Sequence, residues 1–140
     1  MSLQAITIAD QRYEAANRSV DFIQRYIFPG SFIPSVSAMT QAVARSTDMR
    51  LFQLEDIGPH YAITFRYWRE RFQQNISRVR ELGYPDTFIR MWEFYFCYCK
   101  GGFLERAIGN AQLLFIKPGC YREPITPVLD PSTGPGGHRL

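Results

Sequence analysis

Lysine is nearly absent from this chain, occurring only at Lys100 and Lys117, so the positive side of its net charge of +3 is carried almost entirely by arginine. Arginine offers planar, bidentate contact with carboxylate or phosphate. Histidine is equally scarce, with His60 and His138 alone. That leaves too few nitrogen ligands for a metal centre, and only His60 as a base for Ser-His-Asp or Cys-His chemistry, with no nucleophile singled out by order or spacing. The three cysteines, Cys97, Cys99 and Cys120, are odd in number, and two of them are separated by a single residue. This excludes a disulfide framework and a zinc knuckle, so reduced thiols are expected. No run is long enough to cross a bilayer and no basic-then-apolar leader opens the chain, so the expectation is a soluble, cytoplasmic protein. No glycine-rich loop follows a strand-like run, because Gly101-Gly102 comes after a helical pattern.

What is present in abundance is aromatic side chain, 15% of 140 residues. That length allows one domain with one core, filled largely by flat rings. The organising stretch is Leu54 to Trp68. A strand-like run, Arg50 to Leu54, ends in a Gly58-Pro59 break, and a long amphipathic helix starts at His60-Tyr61. Tyr61 is thereby expected at the mouth of a strand-to-helix turn, where open α/β sheets bind ligands. It is equally the first member of an apolar stripe, Tyr61, Phe65, Trp68, Phe72, Ile76 and Val79, which reads as core.

Taken in order, Leu3 to Ile8 reads as a strand buried on both faces of a parallel sheet. The chain opens directly into it, so the expectation is the C-terminal part of something larger, or a partner that supplies the missing strands. Ala9 to Ile27 is predicted to be one helix with Asp10 as N-cap and Val20, Ile23 and Ile27 on its stripe. After the Phe28-Pro29-Gly30 break, Ser35 is expected to cap a helix to about Ser46 carrying Val36, Met39 and Val43. The helix from His60 is expected to run to Leu82 and stop at Gly83, with Arg66, Arg69, Arg71, Arg78 and Arg80 outward. A further helix, apolar nearly all round, runs from Pro85 to about Cys99, is broken by Lys100-Gly101-Gly102, and is followed by a short segment through Arg106. Gly109 to Lys117 is predicted as the last strand, with Ala111, Leu113 and Phe115 alternating against Gln112 and Leu114. From Pro118 on, proline and glycine dominate, and residues 118–140 read as a flexible tail.

Several of these stretches, in order, carry a resemblance. Tyr26-Ile27-Phe28-Pro29-Gly30, Ile33-Pro34-Ser35, Glu55-Asp56-Ile57-Gly58-Pro59-His60-Tyr61-Ala62 with Trp68 and Phe72, and then Arg90-Met91 through Tyr95, Phe103 and Gln112 resemble the C-terminal half of the cyclopropane-fatty-acyl-phospholipid synthases and mycolic acid cyclopropane synthases. The likeness runs from about Leu3 to Lys117. It implies an S-adenosylmethionine-dependent methyltransferase that delivers a methylene group to the cis double bond of an unsaturated phospholipid acyl chain at a membrane surface. The resulting carbocation loses a proton to a bound bicarbonate. Aromatic faces and a held anion are physically suited to a cation in an oily pocket. By the same resemblance Tyr61, Gln4 and Ile6 would hold the bicarbonate, Gln4 standing where many members have histidine. Phe28, Ile33, Phe65, Cys99 and Phe103 would line the acyl channel.

The resemblance further implies an α/β fold: the C-terminal part of a class I, Rossmann-like methyltransferase sheet interrupted by a helical excursion, about three strands and four to five helices, with the last strand antiparallel to its neighbours. The family's glycine-rich cofactor loop has no counterpart here. The chain alone is therefore expected to bind no S-adenosylmethionine, to be inactive, and to associate with itself or with a complementary N-terminal half. A second reading is a non-catalytic lipid-surface or subunit-interaction module, peripheral at the inner membrane surface through the Arg66-to-Arg80 face. Nucleic acid is not an expected partner, because Glu70 and Glu81 interrupt the arginines and the aromatics lie on the buried stripe.

Overall fold

The computed structural model describes residues 1–123. A three-stranded sheet carries the architecture, in the order β1-β3-β2, with β1 (Ser2–Ile8), β2 (Arg50–Asp56) and β3 (Ile108–Ile116). The last strand lies in the middle and is antiparallel to both neighbours. Its expected alternation holds: Ala111, Leu113 and Phe115 are buried, while Gln112 is exposed and Leu114 half-buried. β1, by contrast, is an edge strand paired antiparallel to β3, and only Thr7 within it is buried. The expected two-sided burial in a parallel sheet is thus overturned. Among the described residues β1 has no strand on its outer side beyond a single bridge from Ile8 to Ser35.

Among the described residues six helices flank the sheet: α1 (Asp10–Asn17), α2 (Phe22–Tyr26), α3 (Val36–Ser46), α4 (Gly58–Gln74), α5 (Ile76–Glu81) and α6 (Asp86–Leu104). The count exceeds the expected four to five because two of the long helices divide. Ala9 to Ile27 breaks where Asp21 starts a new helix, its side chain accepting from Gln24 N while Gln24 Oε1 accepts from Asp21 N. That capping box satisfies two amides that an uninterrupted helix would have used internally. Val20, placed on the stripe by periodicity, falls in the break and is exposed. Asp10 is not the cap of α1, a position Ala9 occupies without a side-chain bond. Its carboxylate instead accepts from Ser37 N at 3.2 Å, and hydrogen bonds from the Ser35 and Ser37 side chains hold it below its ordinary pKa. The second division is at Asn75, whose Nδ2 donates back to Arg71 O at 2.7 Å and competes with continuation of the helix.

Two boundaries also move. Gly58 and Pro59 belong to α4 as its first turn, with proline at the position where a missing N–H costs nothing. α6 continues through Gly101-Gly102 to Leu104, where helical breakage had been expected. A Cβ on Gly102 would lie 3.2 Å from the Ile108 side chain, so absence of a side chain there lets the helix pass close to the start of β3. Gly83, with φ 87°, ends α5 as expected, and Ser35 caps α3 by accepting from Ala38 N.

The two sheet faces bury different sets. On one, Ala62, Phe65, Tyr95, Phe96, Cys99 and Phe103 from α4 and α6 form the main core, with Ile6 and Ile108 of the sheet packed against it. On the other, Ala111, Leu113 and Phe115 pack with Leu3, Met39, Val43 and Met49, which places the α3 stripe as its periodicity implies. Of the tail expected from Pro118, residues 124–140 lie outside the described residues. Pro118 and Gly119 begin it as a turn in which Cys120 N donates to Lys117 O at 3.2 Å.

Candidate functional site

β2 delivers the chain into α4 at one end of the sheet. Ile57 N donates to Asn110 O at 2.8 Å, and Asp56 Oδ1 accepts from Gly58 N at 2.8 Å. The first turn of α4 is thereby tied to β3, and Tyr61, one turn in, is directed back over β1. Its hydroxyl meets the side chain of Gln4, 57 positions earlier, whose Nε2 donates to it at 2.8 Å. Gln112 Nε2 in turn donates to Gln4 Oε1 at 2.9 Å. Ile6 lies on the same strand face, two residues along β1, and packs against the main core as Tyr61 does. The three residues attributed by resemblance to anion holding are thus close together. His60, the only base the sequence offered, is exposed. No group of three or more His, Cys, Asp or Glu side chains that could hold a metal occurs among the described residues.

The residues attributed to the acyl channel occupy three settings. Phe65, Cys99 and Phe103 are in the main core, exposed by only 2%, 5% and 2% respectively. Phe28 is half-exposed at the surface against Tyr95, with ring centroids 5.9 Å apart. Ile33 lines a cavity of about 130 Å³ with Ile8, Ile23, Tyr98 and Ile108, whose polar lining includes Arg12 and Asp21. What joins most of them is a file of rings. Tyr61 contacts Phe103 at 5.4 Å, Phe103 stacks on Phe65 at 5.8 Å, Phe65 meets Tyr95 at 5.6 Å, and Tyr95 meets Phe28. Burial raises the Tyr95 phenol to about 12 and likewise the Cys99 thiol to about 12, so both stay neutral at ordinary pH. The interior behind Tyr61 is accordingly aromatic and uncharged.

Two residues stand beside the site without having been assigned to it from the sequence. Asn110 is 1% exposed, its Oδ1 is without a hydrogen-bond partner among the described residues, and it stands in register with Ile6. Gln112 reads in the sequence as an outward-facing strand residue, and its bond to Gln4 spans 108 positions. The arginines of α4 and α5 are largely neutralised at the surface. Arg66 pairs with Glu70 at 3.9 Å, Arg69 with Glu93, Arg78 with Glu81 at 2.9 Å, and Arg80 with Asp86 at 3.1 Å.

The donor set suits a small oxyanion. Because the Tyr61 hydroxyl oxygen accepts from Gln4, its own hydrogen remains to be donated, and the Gln4 amide carries a second N–H. β1 enters α1 through Ala9 and β2 enters α4 through Ile57, and neither of these two turns is a glycine-rich loop whose amides could cradle a phosphate.

This α/β arrangement is that of the cyclopropane synthases. It superposes on mycolic acid cyclopropane synthase CmaA1, solved in complex with SAH and CTAB, with a TM-score of 0.69 and 24% identity, over 82% of this chain and 43% of that one. The sequence model for mycolic acid cyclopropane synthetase matches residues 1–113, and the chain belongs to that family. Among curated proteins it is 37% identical over 119 residues to the tuberculostearic acid methyltransferase UfaA1 of Mycobacterium tuberculosis, covering 85% of this chain and 28% of that protein. It is 33% identical over 97 residues to the cyclopropane-fatty-acyl-phospholipid synthase of Escherichia coli K12, covering 67% of this chain and 24% of that protein. The chain therefore spans about a quarter of the length of these relatives. No helix among the described residues is long and apolar enough to cross a membrane.

Proposed function

We propose that this chain is the anion-holding and acyl-lining part of an S-adenosylmethionine-dependent enzyme that adds a one-carbon unit to the cis double bond of a phospholipid acyl chain. The observation that carries the reading is the hydrogen bond from Gln4 Nε2 to the Tyr61 hydroxyl at 2.8 Å. It leaves a phenol hydrogen and an amide hydrogen to be donated to one small anion. Bicarbonate bound there would supply the base for the proton lost from the acyl carbocation. Tyr61 and Gln4 would hold that base in place, Ile6 would close one side of it against water, and the rings of Phe103, Phe65 and Tyr95 would present their faces to positive charge. The methyl donor is assigned to other parts of the family domain, so the chain alone is expected to be inactive.

The test has two arms on the intact chain. Bicarbonate, titrated against a chloride control, should shift the ¹³C signal of Tyr61 saturably, with the signal assigned by its loss in Tyr61→Phe. No shift removes the anion-holding role. Calorimetric titration with S-adenosylhomocysteine should give no heat from a folded sample, and tight one-to-one uptake overturns the assignment of the cofactor elsewhere.

A second reading, a subunit-interaction module, is favoured by the outer edge of β1, bridged only at Ile8 among the described residues. An unpaired edge is a template for another strand. The occupant proposed is a complementary N-terminal half or a second copy, and sedimentation at increasing concentration separates self-association from a chain that stays monomeric. Docking of the same module on anionic lipid has less support, because four of the five arginines on its proposed face are already ion-paired.

A further inference from the structure

Gln112 faces Gln4 across the β1–β3 ladder with the two Cα positions in register, and its Nε2 donates to Gln4 Oε1 at 2.9 Å. The two ends of a carboxamide differ in kind: the oxygen only accepts and the nitrogen only donates. With Gln4 Oε1 engaged by Gln112, the nitrogen end is turned to the other side, where it meets the Tyr61 hydroxyl at 2.8 Å. The hydroxyl oxygen thereby accepts and its hydrogen is directed elsewhere. Gln112, Gln4 and Tyr61 form a file of hydrogen bonds running in one direction and ending on an O–H donor. If the Gln4 amide were turned over, its oxygen would face the phenol and capture that hydrogen. The site would then offer an anion no phenolic donor.

We infer that Gln112 is a positioning residue, which fixes the end of the Gln4 carboxamide that meets Tyr61 and so sets the phenol as a donor. The inference rests on the anion-holding reading for its purpose, but the orientation it describes exists with no anion bound. Gln112 is exposed and contributes little to packing, so its side chain can be changed with small cost to the fold.

The experiment records the Gln4 side-chain amide signals and the Tyr61 ring signal by NMR in the intact chain, first without bicarbonate and then through a titration with it. Gln112→Met keeps the side-chain length and removes the carboxamide, its acceptor oxygen and its donor nitrogen together. One set of Gln4 amide signals is expected in the starting protein. In Gln112→Met they should double or broaden, the Tyr61 signal should move, and the bicarbonate Kd should rise by about fivefold, the worth of one oriented hydrogen bond. In a Gln4→Met background the same substitution should change nothing further, since it acts only through Gln4. Unchanged Gln4 and Tyr61 signals in Gln112→Met overturn the inference, as does an effect that adds in full to that of Gln4→Met. If the Gln4 amide responds to Gln112→Met while Tyr61 ignores bicarbonate in the starting protein, the positioning role stands and the anion reading falls. Should circular dichroism find Gln112→Met unfolded, Gln112→Val, whose branched side chain suits a strand, carries the same comparison.

Discussion

Asp56, the last residue of β2, accepts a hydrogen bond through Oδ1 from the backbone amide of Asn110, 54 positions later, at 3.2 Å. The same oxygen accepts from Gly58 N. One carboxylate thus joins the end of β2, the middle strand and the first turn of α4, and the placement of Tyr61 follows from that joint. Asp56→Ala is expected to cost about 1–3 kcal/mol, in line with bonds between a charged acceptor and backbone donors. Urea denaturation measures it, and Asp56→Asn, which keeps an acceptor, should recover part of the loss. Equal stability of Asp56→Ala and the starting protein would remove the joint from the account of the site.

Glycines at that joint and a glycine within α6 should respond in opposite senses to a methyl group. A Cβ on Gly109 would stand 2.9 Å from Thr7 Oγ1 and 3.3 Å from Asp56 Oδ1, and one on Gly58 would stand 3.0 Å from Asp56 Oδ1. Gly109→Ala is expected to destabilise by about 1–3 kcal/mol through overpacking. Gly101 lies inside α6 with nothing among the described residues within 4 Å of an added Cβ. There Gly101→Ala should stabilise by about 0.5–1 kcal/mol, because alanine loses less backbone entropy in a helix. Thermal melts of the two variants give the signs directly.

Aromatic residues attributed to one channel should separate by burial. Phe103→Ala is expected to cost about 3–5 kcal/mol, as for a ring deleted from a packed core. Phe28, 48% exposed, leaves much of its ring in water already, and Phe28→Ala should cost about 1 kcal/mol or less. Denaturant midpoints at equal slope decide the comparison, and similar losses for both would mean that Phe28 is covered in solution.

Thiol chemistry offers a test that needs no substitution. Cys99 is buried and its pKa is pushed up to about 12, whereas Cys97 and Cys120 are exposed. At pH 8 the native chain should be alkylated quickly at the two exposed positions, and at Cys99 on the order of a thousandfold more slowly than an ordinary exposed thiol. Mass spectrometry of peptides after timed iodoacetamide treatment reads the order. Fast labelling of Cys99 would show that the α4–α6 core opens readily.

Alkaline pH should unfold the chain through the same core. Tyr95 and Cys99 are acids whose folded pKa values are raised by burial to about 12, above their ordinary values of 10.0 and 9.0. Between those values the unfolded chain has released protons that the folded chain retains, so stability falls as pH rises. Their contribution should be complete below pH 9, decline from there, and be lost by about pH 12. Urea midpoints measured from pH 8 to pH 11 follow it, and a Cys99→Ala variant should lose less stability across that range than the starting protein. A flat profile would contradict the burial of both groups.

Local chemistry made much of this chain legible. The alternation of Ala111, Leu113 and Phe115, the Ser35 cap of α3 and the stop at Gly83 each depend on a few neighbouring residues, and each stands where sequence reasoning placed it. Where two local signals competed, periodicity was the weaker guide. The Asp21–Gln24 box starts a new helix at a point where the apolar stripe would have continued the old one. The antiparallel setting of β3 and the neighbourhood of Tyr61, Gln4 and Ile6 followed from the family likeness. Tertiary structure alone decided the rest. Edge or centre for β1, the passage of α6 over Gly101-Gly102, and the direction of the bonds from Gln112 through Gln4 to Tyr61 depend on contacts spanning up to 108 positions. A carboxamide or a hydroxyl can be turned either way until a partner is fixed, and here the partners meet only after the sheet has formed.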